Sequence, residues 1–268
     1  MTGSTSQEPS SQLFATDQYP RGRLNIYSRP DILSFIWKVF HGTKELDFIL
    51  QSCFGPLFHL PVSKCAMSGK LMHALLCRQL VTKKNYELWT LFGGHPMRLS
   101  LLEFAYVTGL PCGEFSEDYD PDDDPIFVVG MKSYWNELIS LNKTVTLGDV
   151  YAMLTNKRKT LSSDHKLRLA FLLIVDGVLI ASNQIGRLTF KYVEIESFLK
   201  TVVGMRPDKR NLGKCTGKRQ LTTDPIKSLV NQLQQKTFRL KGFPLALQLI
   251  AFRNIHGLLD LLFDDSTS

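Results

Sequence analysis

LFGGHPMRLSLLEFAYVTGLPCGE, residues 91–114, carries a double glycine a few residues ahead of a helix-like run. Leu88, Thr90 and Phe92 alternate with Trp89 and Leu91 before Gly93-Gly94, and Met97 and Leu99 alternate after it. A period of two on either side of a glycine pair predicts a short hairpin. Ser100-Leu-Leu-Glu103 follows with the spacing of a capping box, in which each side chain satisfies a backbone amide at a helix start. A helix is expected over about 101–108, with Gly109 as its left-handed C-cap. A phosphate cradle would need Gly-x4-Gly-Lys-Ser/Thr or Gly-x-Gly-x-x-Gly, and the stretch has neither. The glycines therefore read as a turn, although the first amides of the Ser100 helix could still meet an anion.

Toward the N-terminus, Ser68 can cap a helix with Leu71, Leu75, Leu76 and Leu80 inward. Before it, Leu46, Ile49, Leu50 and Cys53 repeat at helical steps until Gly55-Pro56. Earlier still, Ile32, Phe35, Ile36, Val39 and Phe40 do the same behind Ser28 as N-cap and Pro30 in the first turn, stopping near Gly42. Residues 1–26 are rich in Ser, Thr, Gln, Pro and Gly and lack apolar periodicity, so a flexible tail is expected there.

Toward the C-terminus, an acidic loop over 114–124 precedes a helical pattern at Tyr134, Trp135, Leu138 and Leu141. Thr146-Leu-Gly-Asp149 repeats the capping logic ahead of Val150, Met153 and Leu154. Residues 163–182 read as a long apolar helix and a periodic segment spans Val193 to Val203. Asp224-Pro225 starts a helix with Ile226, Leu229, Val230 and Leu233. GFPLALQLIAFRNI, residues 242–255, is apolar nearly all round and reads as core. The expected fold class is mainly α: one helical domain over 27–262 with a small β-hairpin, a disordered N-terminal tail over 1–26 and a frayed C-terminus over 263–268.

At 268 residues, with 44% hydrophobic and 21% charged residues, the chain can bury a substantial core and is not disordered as a whole. Its five cysteines (Cys53, Cys65, Cys77, Cys112, Cys215) are odd in number and form no CxxC pair, and the N-terminus lacks a basic region followed by an apolar one. A reduced, intracellular setting is expected. The most apolar stretch, residues 167–182, is interrupted by Arg168 and Asp176 and falls short of the ~20 apolar residues that span a bilayer, so no membrane partner is expected.

Candidate chemistry is thin. Asp118, Asp120 and Asp122 have the rhythm of a calcium loop, but Asp123 stands where glycine is needed and Val129 where glutamate is needed. Cys53, Cys65 and Cys77 recur every twelve residues with His59 and His73 between them, yet zinc sites favour close ligand pairs, and buried small hydrophobes fit better. No Gly-x-Ser-x-Gly elbow is present. Catalytic, metal and cofactor residues are therefore assigned to none. The basic segment is the one charge feature with a functional flavour: between Lys200 and Lys241 lie eleven Lys or Arg against two Asp, a local charge of +9. Within it Arg206, Lys209, Arg210, Lys214, Lys218 and Arg219 could neutralise phosphates without reading bases. No aromatic residue that could stack on bases accompanies them within 206–219, and a solvated loop or a nuclear-import signal remain alternatives.

The blocks FGPLFHLP, SGKLMHALLCRQLVTKKNYELW, LFGGHPMRLSLLEFAYVTGLPCGE, LAFLLIVDGVLI and GFPLALQLIAF together resemble a plant domain-of-unknown-function family. Its members occur in proteins of Mutator-like transposable elements, often fused to a Ulp-like SUMO cysteine protease. The likeness covers about residues 28–256, and a looser one exists to the plant mobile domain. No catalytic residues of that family are available to carry over. The protease itself leaves no trace, since the one Cys-Gly, Cys112-Gly113, follows Pro111 with no glutamine a few residues upstream. Relatives tend to carry a Pro-Trp-Gly-Arg-like stretch where this chain has its basic loop. The resemblance implies a non-catalytic, transposable-element-derived interaction module with an unknown protein partner, nuclear or otherwise cytoplasmic. Nucleic-acid binding through residues 206–219 is the alternative, and an enzyme in its own right the third.

Overall fold

The structure, a computed structural model, describes residues 11–82, 87–92, 94–112, 145–156, 160–181 and 225–255. Helices dominate, as the apolar periodicity requires: α1 (Asp31–Phe40), α2 (Lys44–Gln51), α3 (Gly69–Cys77), α4 (Leu101–Thr108), α5 (Leu147–Asn156), α6 (Ser163–Leu172), α7 (Pro225–Leu233) and α8 (Pro244–Asn254). A 3-10 turn, Gly55–His59, follows α2, and α6 runs on as a π-helical segment, Leu173–Leu179. The strands are β1 (Arg23–Ile26), β2 (Gln79–Leu80), β3 (Leu88–Phe92), β4 (His95–Leu99) and β5 (Thr237–Leu240). None of the described helices is long and apolar enough to cross a membrane. The expected helix around Trp135, the segment from Val193 to Val203 and the C-terminus from 263 lie outside the described residues.

The hairpin forms as its alternation demands. β3 and β4 pair antiparallel with Phe92 opposite His95, Gly94 turns at φ +81°, and β2 joins on the far side in the order β2-β3-β4. Caps then decide where helices begin. Ser100 Oγ accepts from Leu102 N–H (3.1 Å) while Glu103 Oε2 accepts from Ser100 N–H (2.8 Å), the reciprocal box that starts α4. Thr146 and Asp149 exchange the same bonds before α5, and Ser68 Oγ accepts from Leu71 N–H to start α3. Ser28 departs from expectation. Pro30 holds the N-cap position of α1 without a side-chain bond, and Ser28 Oγ instead donates to Val178 C=O (2.7 Å).

That bond, with Arg29 N–H donating to Gly177 C=O (2.8 Å), satisfies carbonyls at the end of the π-helical segment. Gly177 is there for space. A Cβ on it would lie 2.2 Å from Ile32 Cδ1, so α1 can pack this closely only against a residue without a side chain. Around α6 the rings of Phe48 and Phe54 approach Phe171 at 6.3 and 5.7 Å. Buried apolar residues from Phe14 to Ala251 form one cluster.

The tail expected over 1–26 is corrected for residues 11–26. Phe14 and Leu24 are buried, Gln12 bridges to Leu80, and β1 pairs in parallel with β5, Arg23 beside Thr237 and Ile26 beside Leu240. Polar composition misleads here because two isolated apolar side chains and a distant strand do the ordering, and neither leaves a local period. Residues 1–10 lie outside the described part.

Deleting a cap costs about 1 kcal/mol, against about 3–5 kcal/mol for emptying a buried phenylalanine site, so packing holds the fold and caps set its boundaries. Ser100→Ala should therefore lower stability by about 1 kcal/mol in urea denaturation. Gly109→Val should cost more, because Gly109 sits at φ +69° and its Cβ would lie 2.5 Å from Pro56 Cβ. Equal stability of both variants and the wild type would contradict this account of α4.

Candidate interaction surface

The hairpin has two unlike faces. Leu88, Thr90, Met97 and Leu99 point inward and are buried, and Thr90 disposes of its hydroxyl by donating to Leu75 C=O (2.8 Å). Trp89 and Arg98, opposite each other in the register, face out. Trp89 Nε1 donates to Glu87 Oε2 (2.8 Å), and the Arg98 guanidinium lies 5.8 Å from the Trp89 ring centre. Arg98 also donates through Nε to Glu103 Oε1 (3.0 Å). Burial alone would raise the Glu103 carboxyl, but the hydrogen bonds from Arg98 and Ser100 outweigh it and hold the group below the ordinary carboxylate value. One glutamate thus caps α4 and ties it to β4.

Its caps and hairpin fix the rotation of α4. Phe104 and Thr108 turn inward, and Thr108 Oγ1 donates to Phe104 C=O (2.7 Å). Leu102 and Tyr106, four residues apart, are left on the outside at 68% and 63% exposed. From α8, the Arg253 guanidinium lies 3.8 Å from the Tyr106 ring centre, a cation–π contact on an open face. Trp37 and Phe48 are less exposed and already have ring partners, His41 and Phe171. The face of α4 with Arg253 is therefore the candidate site.

The sequence-based candidates fare differently. Arg206, Lys209, Arg210, Lys214, Lys218 and Arg219, the acidic loop and Cys215 all lie outside the described residues. Cys65 and Cys77 are buried, and no group of His, Cys, Asp or Glu that could hold a metal occurs among the described residues. Gln248 Nε2 donates to Cys65 Sγ (3.0 Å) and to Ala66 C=O (2.9 Å), while its Oε1 accepts from Ser68 N–H (2.9 Å). That buried amide clamps α8 to the start of α3. Burial pushes the Cys77 thiol up to about 11 and the Cys112 thiol up to about 12. These are protonated thiols at neutral pH, the reverse of what nucleophilic catalysis requires.

Residues 76–200 match the family model of a domain of unknown function, DUF1985. The match runs from the end of α3 through the hairpin, α4, α5 and α6, so Leu102 and Tyr106 lie inside it while Arg253 does not. Neither the curated proteins nor the solved structures gave a match. The outward face of α4 left no signal in the sequence, because Leu101, Leu102, Phe104, Ala105, Tyr106 and Val107 are all apolar or small and only the tertiary setting separates inner from outer. Gln248 had one, a lone amide in an apolar helix.

His73 shows how the core holds a titratable group. It is buried, its ring donates to Leu233 C=O, and Cys77 Sγ lies 3.5 Å from Nδ1. Burial lowers its pKa below the usual 6.5, the Leu233 bond opposing only in part. A depressed value means the unfolded chain binds the proton first, so His73 contributes stability above pH 6.5 that is lost as pH falls through its folded value. Glu45 and Glu103, also depressed, act in a lower window, below their usual 4.5. Melting temperature should fall between pH 6.5 and 5 in the wild type and fall less in His73→Gln; parallel curves would refute the assignment.

Proposed function

We propose that the chain is a non-catalytic interaction module that binds a protein partner through the outer face of α4. The observation that carries this reading is the pair Leu102 and Tyr106, exposed side by side on a rigidly capped helix. Leaving a large apolar side chain in water forfeits roughly 1.5–3 kcal/mol that burial would return, and Tyr and Arg are the residues that most often anchor interfaces. Arg253 supplies the arginine. A transposable-element origin and a nuclear location rest on the sequence resemblance.

The test places a photo-crosslinking residue at Ala105 and exposes the protein to nuclear extract. The expected result is one defined protein adduct, lost in Leu102→Glu/Tyr106→Glu while the melting temperature stays unchanged. An adduct indifferent to both substitutions would overturn the reading.

Nucleic-acid binding is the second reading, favoured by the local charge of +9 between Lys200 and Lys241. Its test is titration of a mixed-sequence DNA duplex across a salt series. Changing Lys209, Arg210, Lys218 and Arg219 to Ser should reduce the log–log salt slope by roughly 3 to 4, since each phosphate no longer neutralised lowers it by about 0.9. Absence of binding at low salt would dismiss this reading.

A further inference from the structure

Ser11–Phe14 forms an arm on the open edge of the hairpin sheet. Val81 N–H donates to Ser11 C=O (2.8 Å), Leu13 N–H donates to Gln79 C=O (2.9 Å), and Gln12 stands antiparallel to Leu80. Phe14 plugs into the core at 8% exposed. In the order β2-β3-β4, β2 is an edge strand, so without the arm its outward amide and carbonyl would have no strand to meet.

The arm hangs on a pivot. Ala15 to Gln18 are all exposed and form a turn closed by Gln18 N–H donating to Ala15 C=O (3.0 Å). Within it Asp17 sits at φ +67°, alone among the described non-glycine residues in having a positive φ, a conformation that stores strain. Beyond the turn the chain is pinned again, because the Arg78 guanidinium lies 4.1 Å from the Tyr19 ring centre. The arm can therefore swing out while β1 and the helices stay in place. Its docking is also imperfect: the side-chain carbonyl oxygens of Gln12 and Gln79 are buried with no hydrogen-bond partner among the described residues.

We propose that this arm exchanges between two copies of the chain, each copy's Ser11–Phe14 pairing with β2 of the other. A second copy is the occupant the structure specifies, because its arm makes the same hydrogen bonds and fills the same Phe14 site. Exchange thus preserves every bond the arm makes and releases the strain of the closed turn, the two conditions under which swapping between identical chains occurs. The arrangement is a two-fold, closed dimer that forms as protein concentration rises.

Asp17→Pro in the full chain tests this, because proline is held near φ −65° and cannot adopt the closed turn. Analytical ultracentrifugation is expected to show a doubled mass for Asp17→Pro, a monomer for Asp17→Gly at the same concentration, and a return to monomer for Phe14→Ser/Asp17→Pro. A monomeric Asp17→Pro, or a dimer that survives Phe14→Ser, would overturn the proposal. The wild type guards against a variant that fails to fold: native mass spectrometry of heavy and light isotopic copies mixed at high concentration should show hybrid dimers, and their absence would also overturn it.

Discussion

From Leu167 to Val178 every residue of α6 and its π-helical continuation is buried. A helix with no face to give to water must be enclosed, and the rest of the described structure answers that demand. α1 lies against Gly177, the ring of Phe171 takes Phe48 from α2 and Phe54 from just ahead of the 3-10 turn, and α5 closes another side. Enclosure also explains the polar residues tolerated inside. Arg168 Nε donates to Asp164 Oδ2 (2.7 Å) one turn away, and Ser28 and Arg29 reach in to satisfy the carbonyls that a widened helix leaves over. Hydrophobic burial sets the arrangement, and hydrogen bonds keep it from costing too much.

A second clamp joins α8 to the start of α3. Gln248 reaches from α8 to Cys65, Ala66 and Ser68, so the helix that carries Arg253 and the one that leads into the hairpin are fixed relative to each other. The open face of α4 is therefore presented on a stiff platform. Stiffness matters for recognition, since a surface that need not be ordered on binding loses less free energy when a partner covers it.

Most helices were legible in the sequence because the information is local. Periodicity gave α1 and α2, the all-round apolar run over 242–255 marked α8 as core without showing it as a helix, and the Ser68, Ser100 and Thr146 caps gave the starts of α3, α4 and α5 with the bonds now seen. The parts not legible depend on distant partners. β1 and β5 are four residues each and find one another across nearly the whole described chain, and Phe14 looks like a stray apolar residue until the slot beneath it exists. The candidate site was hidden for a related reason: α4 is apolar on both sides, and only the placement of β4 and α8 decides which side meets solvent. The basic residues were conspicuous by charge, a property that composition displays without any structure.

The parallel pairing of β1 with β5 has a consequence for how the protein is made. Joining segments so far apart in the chain carries a loop-closure cost that grows with the length between them, and contacts of this kind come late in folding. During synthesis, α1 to α6 can emerge and begin to pack around the apolar helix while Arg23–Ile26 still waits for a neighbour. Only when Leu240 has left the ribosome can that strand be completed, and a message cut short before it yields a chain whose first strand is left open to whatever else is nearby.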